Sequence, residues 1–489
     1  MSRESRPIFP AATNHTETAR RSGRWRHPIH FRPESVHSPS NVSDAILTRC
    51  REAATLLFGQ VEEREFAVRY WDQHLEERGG GIPARYTLTL SGPSALRRMF
   101  LPPSELRLAA AFVRGDFDVE GDLEAATALR DDLRARLTTP GVWPRLLACL
   151  AGLPRAPARL PAASGPAAAS LHGRRHSIRR DAAAVRSHYD VGNDFYRLWL
   201  DRELVYSCAY FRTGQEDIDT AQRDKMEHIC RKLRLRPGER LLDIGCGWGG
   251  LLRHAVRQFG VEGLGITLSE EQARWARQRI AEEGLAGRCR VEVRDYRELP
   301  DDAQFDKVVS VGMVEHVGLE QLPAYFARAF RLTRPGGVFL NHGITGSLEA
   351  STAGVVPRIV SRVWDTGSFM QRYVFPDGEL PPLDRIVGAA RNAGFEVRDV
   401  ETLREHYART LRRWRQRLER ARAAVTAVVG DETFRTWRLY MAGCARSFAS
   451  GYIDVAQTVL GRPDANGHVS LPLTRADLYA GLAEGAGRG

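Results

Sequence analysis

The chain has 489 residues, 43% of them hydrophobic and 27% charged, which is enough for two or three domains, each with its own core. No apolar run approaches the roughly 18 residues of a membrane-spanning helix, and the N-terminus lacks an apolar signal region, so a cytoplasmic protein is expected. The net charge of +11 suits an anionic partner, while seven scattered cysteines in neither CxxC nor zinc-like spacing argue against disulfides and against a metal site.

Residues 1–42 are rich in Arg, Ser, His and Pro without periodicity and read as a disordered tail. A small α/β domain is expected over 43–150. There RYTLTLSG alternates like a strand, and SALRRMF followed by SELRLAAAFVRGDFDVEGDLEAATALRDDL reads as helix, turn, helix. A Pro/Ala/Ser stretch with a basic end marks a linker over 151–181. Lysine occurs only at 225, 232 and 307; the excess of arginine reads as genomic composition, so the charge permits a membrane partner without proving one.

From 182 to 489 strands alternate with amphipathic helices: RLLDIGCG, VEGLGITLS, CRVEVRDY, FDKVVSVGM and GGVFLNHGI are the strands. That alternation predicts an α/β fold with a doubly wound, mostly parallel sheet and a ligand at the carboxyl ends of its strands. LLDIGCGWGG carries Asp243, Gly245, Gly247 and Gly249 in the DxGxGxG pattern of S-adenosylmethionine-dependent methyltransferases. An NAD site is disfavoured, because Asp243 stands where nicotinamide folds carry an apolar residue and the second strand lacks a ribose-binding acid. Thr267, Ser269 and Gln272 offer hydroxyls and an amide in that acid's place, and Asp295 and Tyr296 stand where adenine is contacted.

Several further motifs follow in order: HYDVGNDFY, YSCAYF, GITLSEEQ, GMVEHVG, RYVFPDGELP and HYARTLRRW. With them, residues 45 to 480 resemble the cyclopropane-fatty-acyl-phospholipid synthases, the family that includes the mycolic acid cyclopropane synthases. The resemblance implies a class I methyltransferase fold with added helices and a smaller N-terminal lipid-associated domain. It implies methyl transfer from S-adenosylmethionine to a cis double bond of an unsaturated membrane phospholipid. Loss of a proton from the resulting cation then closes a cyclopropane.

By the same resemblance a bicarbonate ion is held by Cys208, Glu315, His342, Tyr407 and the backbone of Ile344. Cys444 matches a reactive cysteine near the acyl site. Two departures stand out: NHGIT replaces the family's frequent LHTIG, and Val314 replaces a Phe, which is read as widening the acyl pocket.

Tyr189, Phe195, Tyr196, Tyr206, Tyr210 and Phe211 are candidates to wall an apolar channel that excludes water and faces a cation. His316 is expected to point away from the site by strand alternation. In LREHYARTLRRWRQRLERAR a stripe of Leu403, Tyr407, Leu411, Trp414, Leu418 and Ala421 is expected to pack inward, since Tyr407 must reach the site.

Peripheral contact with the inner membrane face fits such a substrate, and a homodimer is left open. Alternatives are a methyl- or methylene-branched lipid product and a small-molecule methyltransferase. RNA methylation is disfavoured because no nucleic-acid-binding module is recognisable.

Overall fold

The computed structural model describes residues 40–78, 81–137, 139, 141–155, 175–181, 183, 191–346 and 369–480. Most of the expected tail, the linker residues 156–174 and Tyr189 lie outside the described residues. The chain divides into two compact units, Met1–Ala45 and Ile46–Gly489, and the second contains both sheets.

The smaller sheet has the order β2-β1-β3-β4, from β1 (Ala67–Arg69), β2 (Leu75–Glu76), β3 (Tyr86–Leu90) and β4 (Phe117–Gly121). In YTLTL, Tyr86, Leu88 and Leu90 point into a core with Leu96, Phe100 and Phe112, and the threonines between them point outward. The expected helix–turn–helix over 94–133 is corrected here. Between the helix Glu105–Arg114 and the next helical turn, Phe117–Gly121 forms β4, antiparallel to β3, and buries Phe117 and Val119. The alternation Phe-Asp-Val-Glu carries a strand even though Asp and Gly are poor strand formers.

The larger sheet contains β5 (Arg240–Ile244), β6 (Glu262–Thr267), β7 (Cys289–Val293), β8 (Phe305–Val311), β9 (Thr333–Gly346), β10 (Glu396–Thr402) and β11 (Ile453–Gly461), in the order β10-β11-β9-β8-β5-β6-β7. Strands β9, β8, β5, β6 and β7 run parallel, whereas β11 pairs antiparallel with both β9 and β10. The order reverses between β5 and β8, and in a doubly wound sheet the crevice for ligands opens beyond the strand ends at that point.

The expected inward stripe of Arg404–Arg420 is observed: Leu403, Leu411, Trp414 and Leu418 are buried with Tyr407 in one aromatic core. Its basic face is largely engaged. Arg412 pairs with Glu124, while Arg417 bonds Asp219 and the Leu200 carbonyl. On the following helix, Arg422–Ala449, Arg435 reaches the Phe112 and Phe117 carbonyls and Asp118, which ties β4 to the helices over the large sheet.

Candidate active site

A cleft of about 1000 Å3, open to solvent, lies at the carboxyl ends of β5, β6 and β8. Strand β5 ends at Ile244, and Gly245 (φ 78°) and Gly247 (φ 54°) turn the backbone through the left-handed region. A Cβ at Gly247 would meet no heavy atom within 4 Å, so the turn presents bare backbone. Asp243, Gly245, Gly247, Thr267, Gln272, Asp295 and Tyr296 line the cleft as the sequence implies.

Gly249 and Ser269 do not line it. Gly249 is the left-handed N-cap of the helix Gly250–Phe259, where an added Cβ would fall 3.1 Å from the Ala276 Cβ. Ser269 caps the next helix by accepting a hydrogen bond from the Gln272 amide. Thr267 Oγ1 donates to Gln272 Oε1 at 2.7 Å, and the Arg297 guanidinium grips the Asp295 carboxylate. Burial raises the Asp243 carboxyl to about 7, with Lys225 pulling the other way.

Lys225, Ser207, Trp248, Met313 and His316 also line the cleft, and the sequence reading assigned none of them to it; Arg294, beside Asp295, lines it as well. The expectation for His316 fails because the strand has ended. Val314–Val317 is a helical turn, so the alternation of a strand no longer applies. Its imidazole, pushed down to about 4 by burial, is neutral. Of the six candidate aromatics, Tyr206 lines this cleft. Phe195 and Tyr196 pack into the aromatic core with Trp199 and Trp437, while Tyr210 stacks between His228 and His406.

Beside the cleft, Glu315 Oε1 accepts a 2.7 Å hydrogen bond from the Ile344 backbone N–H. The Ile344 amide expected to face an ion is therefore already engaged by the carboxylate. Glu315 Oε2 is buried without a hydrogen-bond partner among the described residues, and burial lifts the carboxyl to about 7. His342 lies on β9, two residues before Ile344. The Gln457 side-chain nitrogen, 3.1 Å from its Nδ1, can only donate, so the ring proton sits on Nε2.

That Nε2 is buried and has no hydrogen-bond partner among the described residues, and burial with nearby Lys225 and Lys232 keeps the ring neutral. Burial also raises the Tyr407 hydroxyl well above its usual range, and Tyr440, Cys208, Glu315 and Cys444 add to that shift at close quarters. Burial likewise keeps the Cys208 and Cys444 thiols protonated, the latter pushed up to about 12. Tyr407 thus stands near Glu315, Cys208 and Cys444, while His342 faces Gln457 on the neighbouring strand, and together these side chains offer a carboxyl poised near neutrality, an N–H donor, a phenol and thiols.

A second cavity, about 1600 Å3 and open to solvent, lies between the small sheet's helices and Arg422–Ala449. Leu108, Phe112, Val119, Leu123, Met370 and Leu439 contribute to a largely apolar wall, with Cys444, Tyr440 and Gly443 alongside. Arg130, Arg134 and Arg446 line it as well. The Tyr206 hydroxyl, from the first cleft, donates to the Tyr440 hydroxyl of the second at 3.3 Å. Val314 lies elsewhere, buried in the sheet core beside Phe339, so it does not widen this cavity.

Residues 176–458 match the family model for mycolic acid cyclopropane synthetase. A probable fatty acid methyltransferase of Pseudomonas putida is 42% identical over 412 residues, 84% of this chain and 95% of the relative. The structure of the cyclopropane synthase MmaA2 from Mycobacterium tuberculosis is 33% identical, with a TM-score of 0.52 over 58% of this chain and 98% of that one. That of mycolic acid cyclopropane synthase CmaA1, complexed with SAH and CTAB, is 36% identical, with a TM-score of 0.52 over 57% and 97%. The large-sheet region thus has the expected class I methyltransferase fold.

Proposed function

The chain belongs to the mycolic acid cyclopropane synthetase family, and from that premise we propose that it transfers a methyl group from S-adenosylmethionine to a cis double bond of an unsaturated phospholipid acyl chain and closes a cyclopropane there. The observation that carries this reading is the meeting of a glycine-turned cleft and a larger apolar cavity at the Tyr206–Tyr440 hydroxyl pair, with the Glu315 cluster beside it.

When bound, the cofactor supplies an electrophilic methyl on a sulfonium. An alkene is a weak nucleophile, so the chain's task is to align the double bond and keep out water. The apolar wall serves both ends, and the ring faces of Tyr206, Tyr440 and Tyr407 suit a developing cation. Glu315 Oε2, half-ionised near pH 7, takes up the proton released on ring closure.

Bicarbonate suits these side chains, because it needs both a donor and an acceptor, and His342 Nε2–H and Glu315 Oε2, each without a partner among the described residues, offer one of each. Cys208 and Tyr407 would complete its cage, and the ion would supply a further proton acceptor. Arg130 and Arg446, with side chains 41% and 36% exposed on the apolar cavity's wall, suit a lipid phosphate. No helix among the described residues is long and apolar enough to cross a membrane, and peripheral contact with the cytoplasmic face is the corresponding proposal.

Lipid mass spectrometry of cells expressing the chain tests the reading. Acyl chains should gain one CH2 and resist hydrogenation; unchanged lipids alongside continued cofactor consumption would sink it. The 84% coverage by a fatty acid methyltransferase favours a second outcome of the same cation, a branched chain. A methylene branch has the cyclopropane's mass but takes up hydrogen.

A further inference from the structure

The chain carries 71 basic side chains, and only three are lysine. All three are buried: Lys225 and Lys232 are 1% exposed and Lys307 is 4%. A sequence that uses arginine almost everywhere has lysine, a compact charge on a slim stem, only at three interior positions. Two of them have acidic neighbours far from the cofactor turn. Lys232 pairs with Asp399 and Glu401, and Lys307 approaches Glu239. Lys225 is different, because it lines the cofactor cleft.

Its ammonium donates to the Ser207 hydroxyl at 3.0 Å, and both residues line the cleft together with Gly245, Gly247 and Trp248. An ammonium has three donors, and Ser207 accepts one of them. The cleft's other cationic side chain, Arg294, stands beside Asp295 and Tyr296 and pairs with Glu292. The amino-acid end of S-adenosylmethionine carries a carboxylate, and burying one without a counter-charge is costly.

We propose that Lys225, assisted by the Ser207 hydroxyl, binds the α-carboxylate of S-adenosylmethionine and so fixes which end of the cofactor enters the glycine turn. The inference rests on the methyltransferase reading above. Asp201 and Asp243 sustain the positive charge that burial opposes. The balance leaves the ammonium's pKa at about 8, so it is mostly charged near neutrality. Asp201 is itself held by the Glu203 and Val205 amides, which keeps that counter-charge fixed in place.

Decarboxylated S-adenosylmethionine lacks only the group in question, so calorimetric titration of the full chain with both compounds isolates it. The wild type should prefer S-adenosylmethionine by roughly 10–100-fold, the range of a buried charge-assisted hydrogen bond. Lys225→Met should remove most of that preference while binding the decarboxylated compound nearly as well as before. An unchanged ratio would overturn the proposal. Should Lys225→Met bind neither compound, Ser207→Ala decides, with a reduced ratio supporting the assignment and an unchanged one refuting it. A wild type that binds neither compound removes the methyltransferase reading itself.

Discussion

Glu315 shows how one side chain's surroundings set both its chemistry and its cost. Burial moves its carboxyl from the ordinary range to about 7, so it holds a proton at pH 6 and has mostly lost it at pH 8. If it accepts the proton of ring closure, turnover should rise through a midpoint near pH 7. His342 is pushed far below its usual range, stays neutral and adds no second inflection. Glu315→Gln should bind cofactor normally, lose about 10^2–10^4-fold in turnover and flatten the profile, as steady-state rates against pH will reveal. The same shift has a sign for stability. A raised carboxyl pKa favours the folded state fully below the unfolded value, and that contribution fades as pH rises through 7. Thermal melts should therefore find Glu315→Gln gaining on the wild type between pH 5 and pH 8, by on the order of 2–3 kcal/mol. A constant difference would mean that the carboxyl is not buried as described. Glu315 was legible as an acid beyond the end of a buried strand, yet His316 was misassigned because the chain turns helical at Val314. The two departures from the family pattern also prove to be neighbours. A Cβ at Gly343 would fall 2.2 Å from Val314 Cγ1, so the missing side chain at 343 makes room for the valine. No single-sequence pattern records such a contact, because it joins a helical turn to a strand one layer away.

Among elements, strong periodicity was easily read and weak strands were not. The stripe of Arg404–Arg420 and the alternation of β3 both appear where expected, since each buries one face. Strand β4 was hidden by its acidic and glycine residues, and a partner far along the chain explains why it forms. Arg435 bonds the Phe112 and Phe117 carbonyls and Asp118, and its guanidinium lies 4.5 Å from the centre of the Phe112 ring. The side chain is 5% exposed, so truncation removes buried bonds to two carbonyls and to Asp118, although the Phe112 carbonyl keeps the Gly115 N–H. Arg435→Ala should cost about 2–4 kcal/mol in urea unfolding, and Arg435→Lys should recover little, because one ammonium cannot reach three acceptors in a fork. A loss below ~0.5 kcal/mol would mean that the contact is a solvated surface pair instead.

At the scale of the whole molecule, the proposed function depends on a space that neither sheet contains alone. The apolar cavity takes one wall from the helices over the small sheet and the other from Arg422–Ala449, and Tyr440 joins it to the cofactor cleft through Tyr206. Local patterns located each wall but not the space between them, since a cavity arises from the packing of segments 300 residues apart in sequence. Gly443 gives a direct test. It lines the cavity from within a helix, and a Cβ there would meet nothing within 4 Å. Gly443→Ala should therefore be tolerated and raise helix stability by roughly 0.5–1 kcal/mol. Gly443→Trp would fill the space in which the acyl chain is proposed to lie. It should leave S-adenosylmethionine binding intact, cut turnover on long unsaturated chains at least about tenfold, and spare shorter ones, because each methylene excluded forfeits about 0.8 kcal/mol of burial. Product analysis across a series of acyl lengths measures this. Equal turnover at every length would move the acyl chain out of this cavity, while a uniform loss would mean that the tryptophan blocks the passage past Tyr440 rather than the far end of the chain's berth.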